Sequence, residues 1–176
     1  MRLWLEQLND LEGWVCRAAA RPIQYRGVHQ IFAWISRLGD GVFWYSLIAV
    51  LPLADGLDGL KVGLHMLVTG GVALILYKSL KGMTRRARPC HHDPRIAALI
   101  PPLDRYSFPS GHTLHAVSFS TVAVGHYPEL GWLLVPFSLL VALSRIVLGL
   151  HYPSDVLVAV VLGLGLGYAA LLPTGW

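Results

Sequence analysis

Long apolar runs constrain the fold of this chain more than any other feature of its sequence. Four or five of them, depending on how the first is counted, approach the roughly 20 apolar residues that a helix needs to cross a bilayer. They lie at about 31–53, 62–80, 111–127, 132–150 and 154–172. Charged residues make up only 14% of the chain, against about 25% in soluble domains. The sequence therefore predicts an all-α, polytopic transmembrane helix bundle with about five spans.

The segment before the first run predicts a helix of another kind. Over residues 3–20, apolar side chains such as Leu11 and Val15 recur at three- and four-residue steps, whereas Glu6 and Asp10 lie elsewhere on the helical wheel. Such a helix is too polar to span a membrane. Its natural place is the membrane interface, against lipid or against the bundle.

Length and charge distribution favour one membrane domain without a nucleic-acid partner. A chain of 176 residues allows one domain, which we divide into an interfacial helix and linker at 1–27 and a helical bundle at 28–176. The formal net charge is +4, but the cations are clustered and the aromatic residues lie in or beside the apolar runs. Nucleic-acid binding would instead require basic residues interleaved with exposed aromatics on a soluble fold.

Three polar clusters stand at the edges of the apolar runs. They are Lys81…Arg88-Pro89, Pro109-Ser110-Gly111-His112 and Ser144-Arg145…His151…Asp155. Because successive loops alternate between the two sides of a membrane, the loop after the second run and the turn after the fourth lie on one face, and all three clusters fall there. Their cations, histidines and carboxylate are the groups needed to hold a phosphoryl group, attack it and protonate its leaving group.

The third cluster combines a histidine, a carboxylate and an arginine. His151 and Asp155 are four residues apart, so the carboxylate can hold one imidazole nitrogen and leave the other free to attack. Arg145 ends an otherwise apolar run, where an ionisable group is costly and is functional by default. The alternatives are an arginine that reaches back to the interface and a carboxylate that caps a helix beside an interfacial histidine.

The other two clusters suit an anion. Ser110 and Gly111 open a helix whose free backbone N–H groups can bind a phosphate, although an ordinary capping turn has the same sequence. Lys81 and Arg88 frame a basic stretch, 82–87, which beside a membrane helix usually binds lipid headgroups. We assign that headgroup role to Arg85 and Arg86.

The ordered set of clusters resembles the type 2 phosphatidic acid phosphatase superfamily, which includes bacterial acid phosphatases and vanadium haloperoxidases. The family pattern is Lys-x6-Arg-Pro, Pro-Ser-Gly-His and Ser-Arg-x5-His-x3-Asp, and residues 81–155 match every position. The resemblance implies a compact bacterial-type enzyme that requires no metal and no other cofactor.

The resemblance also implies a role for each motif residue. His151 would be the nucleophile that forms a phosphohistidine, Asp155 would orient it, and His112 would protonate the leaving oxygen and then activate water. The phosphate would be bound by Lys81, Arg88, Arg145, Ser110 and the Gly111 N–H.

Polar residues outside the motifs receive lesser roles. Asp104 and Arg105 could gate the entrance, and His115, one helical turn from His112, could support the site from behind. The adjacent residues His91 and His92 lack further ligands for a metal, so we interpret them as part of a solvated loop or a headgroup contact.

Taken together, the sequence predicts an integral-membrane lipid phosphate phosphatase. The candidate substrates are a polyprenyl diphosphate, which we favour, phosphatidate and phosphatidylglycerophosphate. One alternative is a phosphotransferase or a vanadate-dependent haloperoxidase, because the same cradle holds vanadate and an alcohol can intercept a phosphohistidine. Another is a non-enzymatic protein that binds or transports anions or lipid headgroups. The sequence leaves the oligomeric state open, a homo-oligomer included.

The orientation in the plasma membrane is contested within the sequence. The resemblance places the site on the periplasmic or outer face. However, Arg17, Arg21 and Arg26 lie on the same side as the site, whereas Asp55 and Asp58 lie on the other, so the positive-inside rule favours a cytoplasmic site. We favour the outer face, because several of the cations on that side belong to the site itself.

Overall fold

All regular secondary structure in the described residues is helical. A computed structural model of the chain describes residues 2–21, 25–96, 98 and 100–172. Its helices are α1 Arg2–Ala20, α2 Arg26–Arg37, α3 Phe43–Thr84, α4 Pro89–His92, α5 Gly111–His126, α6 Gly131–Val147 and α7 Pro153–Leu171. A π-helical turn, Leu38–Val42, joins α2 to α3, and a 3₁₀ turn, Pro128–Leu130, precedes α6. The predicted all-α class is confirmed.

Helix α3 folds back on itself at the turn that the sequence predicts after the first apolar run. Asp55 leaves the helical region and Gly56 adopts φ of +57°, a conformation that favours glycine. The second arm then returns along the first. A Cβ on Gly59 would lie only 2.0 Å from the carbonyl oxygen of Leu51, so the absence of a side chain permits this close approach.

Among the residues that the structure describes, three helical segments are long and apolar enough to cross a membrane. They are Arg26–His92, Pro128–Val147 and Pro153–Leu171. The first of them contains the reversal at Gly56. The helix α5, with 16 residues, is about 24 Å long at 1.5 Å per residue.

Helix α5 lies at the centre of the bundle, packed against α3, α6 and α7. Its contact with α7 is close because Gly163 and Gly167 face it. A Cβ on Gly163 would lie 2.8 Å from the Cβ of Val117, and one on Gly167 would lie 2.5 Å from the Cβ of Thr121. These glycines therefore serve packing inside the bundle.

Helix α1 packs against α4, α6 and α7 through its more polar side. Asn9 and Cys16 are buried, whereas Leu11 is exposed and Trp14 is 61% exposed. The sequence allows this helix to lie against lipid or against the bundle. The contacts that the structure describes are with the bundle. The apolar residues on its other side remain available to lipid.

Candidate active site

The three polar clusters converge on one cavity with a volume of about 410 Å³. They arrive from the end of α3, the loop before α5, the start of α5 and the end of α6. Among the predicted site residues, those that line the cavity are Lys81, Arg88, Asp104, Gly111, His112, His115, Arg145 and His151. Ser110, Arg105 and Asp155 lie outside its lining.

His151 enters the cavity from a turn that ends α6 three residues earlier than the sequence predicts. Gly149 adopts φ of +71°, and the backbone N–H of His151 donates to the carbonyl of Arg145 at 3.1 Å. The imidazole Nε2 lies 3.2 Å from Nη1 of Arg88. Because a guanidinium only donates hydrogen bonds, Nε2 is the acceptor and the neutral ring carries its proton on Nδ1.

The environment keeps that imidazole neutral. His151 is 1% exposed, and burial lowers its pKa well below the ordinary value, as do the positive charges of Arg88, Arg145 and Lys81. Its Nδ1 lies 3.5 Å from Oδ2 of Asp155. The unprotonated nitrogen therefore faces the cavity, and the protonated one faces a carboxylate.

Asp155 is fixed in the first turn of α7. It is 0% exposed. Its Oδ2 accepts a hydrogen bond from the backbone N–H of Tyr152 at 2.9 Å, and its Oδ1 accepts one from Nη1 of Arg86 at 2.6 Å. Both oxygens are thus held before any substrate binds.

The three predicted phosphate-binding cations are buried and close to the histidine. Lys81 donates to both oxygens of Asp104 at 2.7 and 2.8 Å, and Nη2 of Arg88 donates to Oδ1 of the same carboxylate at 2.7 Å. Arg145 donates to the Ser36 hydroxyl in α2. Burial raises the pKa of Asp104, but the two cations outweigh burial and hold it below the ordinary value.

His112 stands at the first turn of α5 and lines the same cavity as His151. Its Nε2 contacts Oδ1 of Asp40, which the π-helical turn before α3 directs toward the cavity. One turn further, His115 ties α5 to α3 by contacts of 3.1 Å to the carbonyls of Gly111 and Gly70. Sequence reasoning missed Asp40, because a lone acid near the first apolar run carries no spacing that links it to His112.

Ser110 and Arg105 differ from the other predicted residues in where they point. The Ser110 hydroxyl is buried in the cap of α5, 2.9 Å from Oγ1 of Thr113. Arg105 is exposed, with its guanidinium 5.8 Å from the ring of Tyr106. The helix start at Ser110 is therefore formed, but its side chain is engaged within the cap.

The headgroup role assigned to Arg86 is wrong. This side chain is 2% exposed and pairs with Asp155 and with Glu12 of α1. Arg85, its neighbour, is exposed. The spacing Lys-x6-Arg leaves the six intervening positions open, so nothing in the pattern indicates that one of these two arginines turns inward.

The histidines and acids do not form a metal centre in the part of the chain that the structure describes. No group of three or more His, Cys, Asp and Glu side chains is arranged there to hold a metal ion. His92 contacts Asp10 of α1 at 3.2 Å, and His91 is exposed.

Comparison with known proteins places these motifs in a family. Residues 60–174 match the model of the PAP2 superfamily. The chain is 41% identical over 73 residues to the undecaprenyl-diphosphatase BcrC of Bacillus subtilis, a match that covers 42% of this chain and 38% of that protein. It is 26% identical over 141 residues to an undecaprenyl-diphosphatase of Sulfolobus acidocaldarius, covering 80% and 68%. The match to the first of these relatives therefore spans well under half of that protein's length.

A solved structure has the same fold. The transmembrane PAP2-type phosphatidylglycerolphosphate phosphatase of Bacillus subtilis superposes with a TM-score of 0.78 at 26% identity, over 98% of this chain and 91% of that one. The family model covers more than half of the sequence, and the predicted resemblance is confirmed: the chain belongs to the PAP2 superfamily.

Proposed function

We propose that the chain is an integral-membrane lipid phosphate phosphatase with a histidine nucleophile. The observation that carries the proposal is that one cavity holds the unprotonated Nε2 of His151 together with Lys81, Arg88 and Arg145. Buried cations that face a neutral imidazole are suited to a phosphoryl group, whose charge they neutralise as the bond to the nucleophile forms.

In the first step, Nε2 of His151 attacks phosphorus and the bond from phosphorus to the lipid oxygen breaks. The three cations bind the non-bridging oxygens, and Asp155 stabilises the positive charge that develops on the ring through the proton on Nδ1. His112, protonated in this step, gives its proton to the leaving lipid oxygen. The products are the dephosphorylated lipid and a phosphohistidine.

In the second step, water replaces the lipid. His112, now neutral, takes a proton from a water molecule, which attacks phosphorus and breaks the bond to Nε2 of His151. Inorganic phosphate leaves, and both histidines return to their starting states. The contact between His112 and Asp40 supports this role, because a carboxylate favours the protonated form of the imidazole.

Asp104 would act before the chemistry. Its carboxylate neutralises Lys81 and Arg88 in the absence of substrate, and an incoming phosphate offers the same two cations equivalent oxygens. Asp104 is half-buried and sits in the loop before α5. It would therefore move aside as the phosphate binds.

The cavity supports a substrate with a long apolar tail. Beyond the cations its lining continues along α3 past Leu67, Gly70, Gly71 and Leu74, and reaches Tyr45 on the first arm. Leu67, Leu74 and Tyr45 are exposed to the surroundings of the bundle. Among lipid phosphates we favour a polyprenyl diphosphate, because both undecaprenyl-diphosphatases named above are similar to this chain.

We further propose a single domain that crosses the membrane five times. The crossings would be α2 with the first arm of α3, the second arm of α3, and then α5, α6 and α7. This arrangement leaves the site at one bilayer face, and we propose the outer face. Cysteine introduced at the exposed Asp58, in a Cys90→Ser background, should react with an impermeant reagent only after cells are opened. Labelling in intact cells would show instead that the site faces the cytoplasm.

The activity is tested by phosphate release in detergent with a chelator present. We expect release from undecaprenyl diphosphate to exceed that from phosphatidate and phosphatidylglycerophosphate, and acid-labile phosphate to be trapped on the protein. A preference for another lipid phosphate would identify that lipid as the substrate instead. Unchanged activity in His151→Ala would overturn the nucleophile.

A further inference from the structure

We propose that Glu12 and Arg86 are positioning residues of the active site. Glu12 in α1 holds Arg86, and Arg86 holds Asp155 in the orientation that His151 requires. The inference rests on the proposed function, because it concerns the same hydrolysis. It makes the N-terminal helix a part of the catalytic apparatus, although neither residue lines the cavity.

Arg86 uses its whole guanidinium behind the site. Its Nη1 donates to Oδ1 of Asp155 at 2.6 Å, its Nη2 donates to Oε2 of Glu12 at 2.7 Å, and its Nε donates to Oδ1 of Asn9 at 2.8 Å. The guanidinium carbon also lies 4.1 Å from the centre of the Tyr152 ring. A cation held on every side in this way cannot also bind substrate, so it acts through Asp155.

The hydrogen bond from Arg86 decides which oxygen of Asp155 serves the histidine. Because Oδ1 accepts the hydrogen bond from Arg86, Oδ2 is the oxygen that faces Nδ1 of His151. The backbone N–H of Tyr152 donates a second hydrogen bond to the carboxylate, at Oδ2. These two hydrogen bonds fix the plane of the carboxylate. Without the arginine, the buried carboxylate would have no opposite charge beside it, and such a group takes up a proton or turns toward another partner.

Glu12 ties α1 to the same helix start. Its Oε1 accepts a hydrogen bond from the backbone N–H of Ser154, and its Oε2 accepts one from the Ser154 hydroxyl, both at 2.7 Å. A carboxylate at this position accepts a hydrogen bond from a free backbone N–H of the first turn, and its negative charge interacts favourably with the positive end of the α7 dipole. Glu12 therefore holds both Arg86 and the first turn of α7, the turn that carries Asp155.

The docking of α1 is consistent with this role. Its buried residues are on the side that carries Glu12, and Cys16 is 0% exposed, with Sγ 3.9 Å from the carbonyl of His151. The opposite side, with Leu11 and Trp14, is exposed. A helix that served only as a membrane anchor would have no need of buried hydrogen bonds to the first turn of α7.

The test separates catalysis from binding. Glu12→Gln keeps the length of the side chain but removes its charge, and Arg86→Lys keeps the charge but removes the fork that reaches two carboxylates. We expect each to lower kcat about tenfold, since small displacements of a catalytic group are costly. KM and the inhibition constant for inorganic phosphate should stay within about twofold, because Lys81, Arg88 and Arg145 are untouched.

Two comparisons complete the experiment. Glu12→Asp should recover part of the lost kcat, and the double variant of Glu12 and Arg86 should lose less than the product of the two single losses, because they act in one chain of contacts. Asp10→Asn, on the exposed side of the same helix, should match the wild type. Melting temperature in detergent controls for folding, and Glu12→Gln keeps the test informative where the Arg86 variant fails to fold.

The inference is overturned when Glu12→Gln, folded as stably as wild type, retains full kcat. It is also overturned when KM and phosphate inhibition worsen in parallel with kcat, since that pattern reports a general loss of structure. A wild-type protein that releases no phosphate from any lipid phosphate would overturn the proposed function, and the inference with it. The wild-type assay therefore distinguishes the two failures.

Discussion

The two ends of the bundle carry polar clusters that look alike in composition and differ in charge. The far-end cluster comprises Asp55, Asp58, Lys61, His65, His126 and Tyr127, around a cavity of about 520 Å³. Like the candidate active site, it contains histidines and carboxylates, here two histidines and two aspartates. However, Lys61 is the only cation among the described residues that line it, and its side chain is 64% exposed and paired with Asp58.

The difference teaches that buried cations, not paired histidines, distinguish the proposed phosphate site from the far end. At the far end, His65 contacts His126 at 3.2 Å and the carbonyl of Ala170 at 3.1 Å, so the pair joins α3, α5 and α7. The Tyr127 hydroxyl donates a hydrogen bond to Asp55. This hydrogen bond is the main cause that raises the pKa of Tyr127 to about 12. This end is acidic and partly solvated, which suits helix connection and repels a phosphate.

The largest expected effect contrasts the histidines of the two ends. His151→Gln removes the proposed nucleophile and should lower kcat by about 10⁴-fold or more. His65→Gln should leave kcat within about twofold, because this residue only connects helices. Steady-state phosphate release measures both. Equal losses in the two variants would remove the distinction between the ends.

The cations provide the next contrast. Arg145→Lys keeps a positive charge but loses the planar fork that can bind two phosphate oxygens, so kcat/KM should fall about 100-fold. Lys61→Arg at the far end is the matched exchange and should have no effect on turnover. A lysine at 145 with wild-type kcat/KM would show that charge alone is needed there.

A smaller effect is expected from the carboxylate that occupies Lys81 and Arg88. Asp104→Asn removes a competing negative charge, so inorganic phosphate should inhibit about fivefold more strongly, which corresponds to about 1 kcal/mol. Asp58→Asn, also a partner of a lysine, should leave inhibition unchanged. Weaker inhibition in the Asp104 variant would mean that this residue arranges the two cations rather than competing for them.

The smallest effect concerns pH. In the unfolded chain a histidine takes up a proton near pH ~6.5, whereas the buried His151 stays neutral because its pKa is lowered. Below about pH 6.5 the unfolded state therefore binds more protons, and stability is lost by up to about 1.4 kcal/mol per pH unit from this group. Melting temperatures in detergent should fall more for wild type than for His151→Gln. Parallel curves would contradict the lowered pKa.

Much of the helical arrangement follows from the sequence alone, since apolar runs of this length have few alternatives in a bilayer. The turn at Gly56 and the starts of α5 and α7 lie where the sequence puts them. The end of α6 differs, because the positive φ at Gly149 begins the turn to His151 before the apolar run is over. An apolar run shows only that its residues prefer an apolar environment. It does not show where a helix ends when the turn that follows is also buried.

The motif spacing by itself determined which residues meet: Lys81, Arg88, His112, Arg145 and His151 all line one cavity. Only the tertiary structure decided which other groups hold them. Asp40 reaches His112 from a π-helical turn, and Glu12 reaches Asp155 through Arg86 from a helix far away in the chain. The physical reason is that a motif fixes side chains on neighbouring helix ends, whereas a buried charge pairs with whichever opposite charge the packing brings within about 3 Å, and no spacing along the chain encodes that.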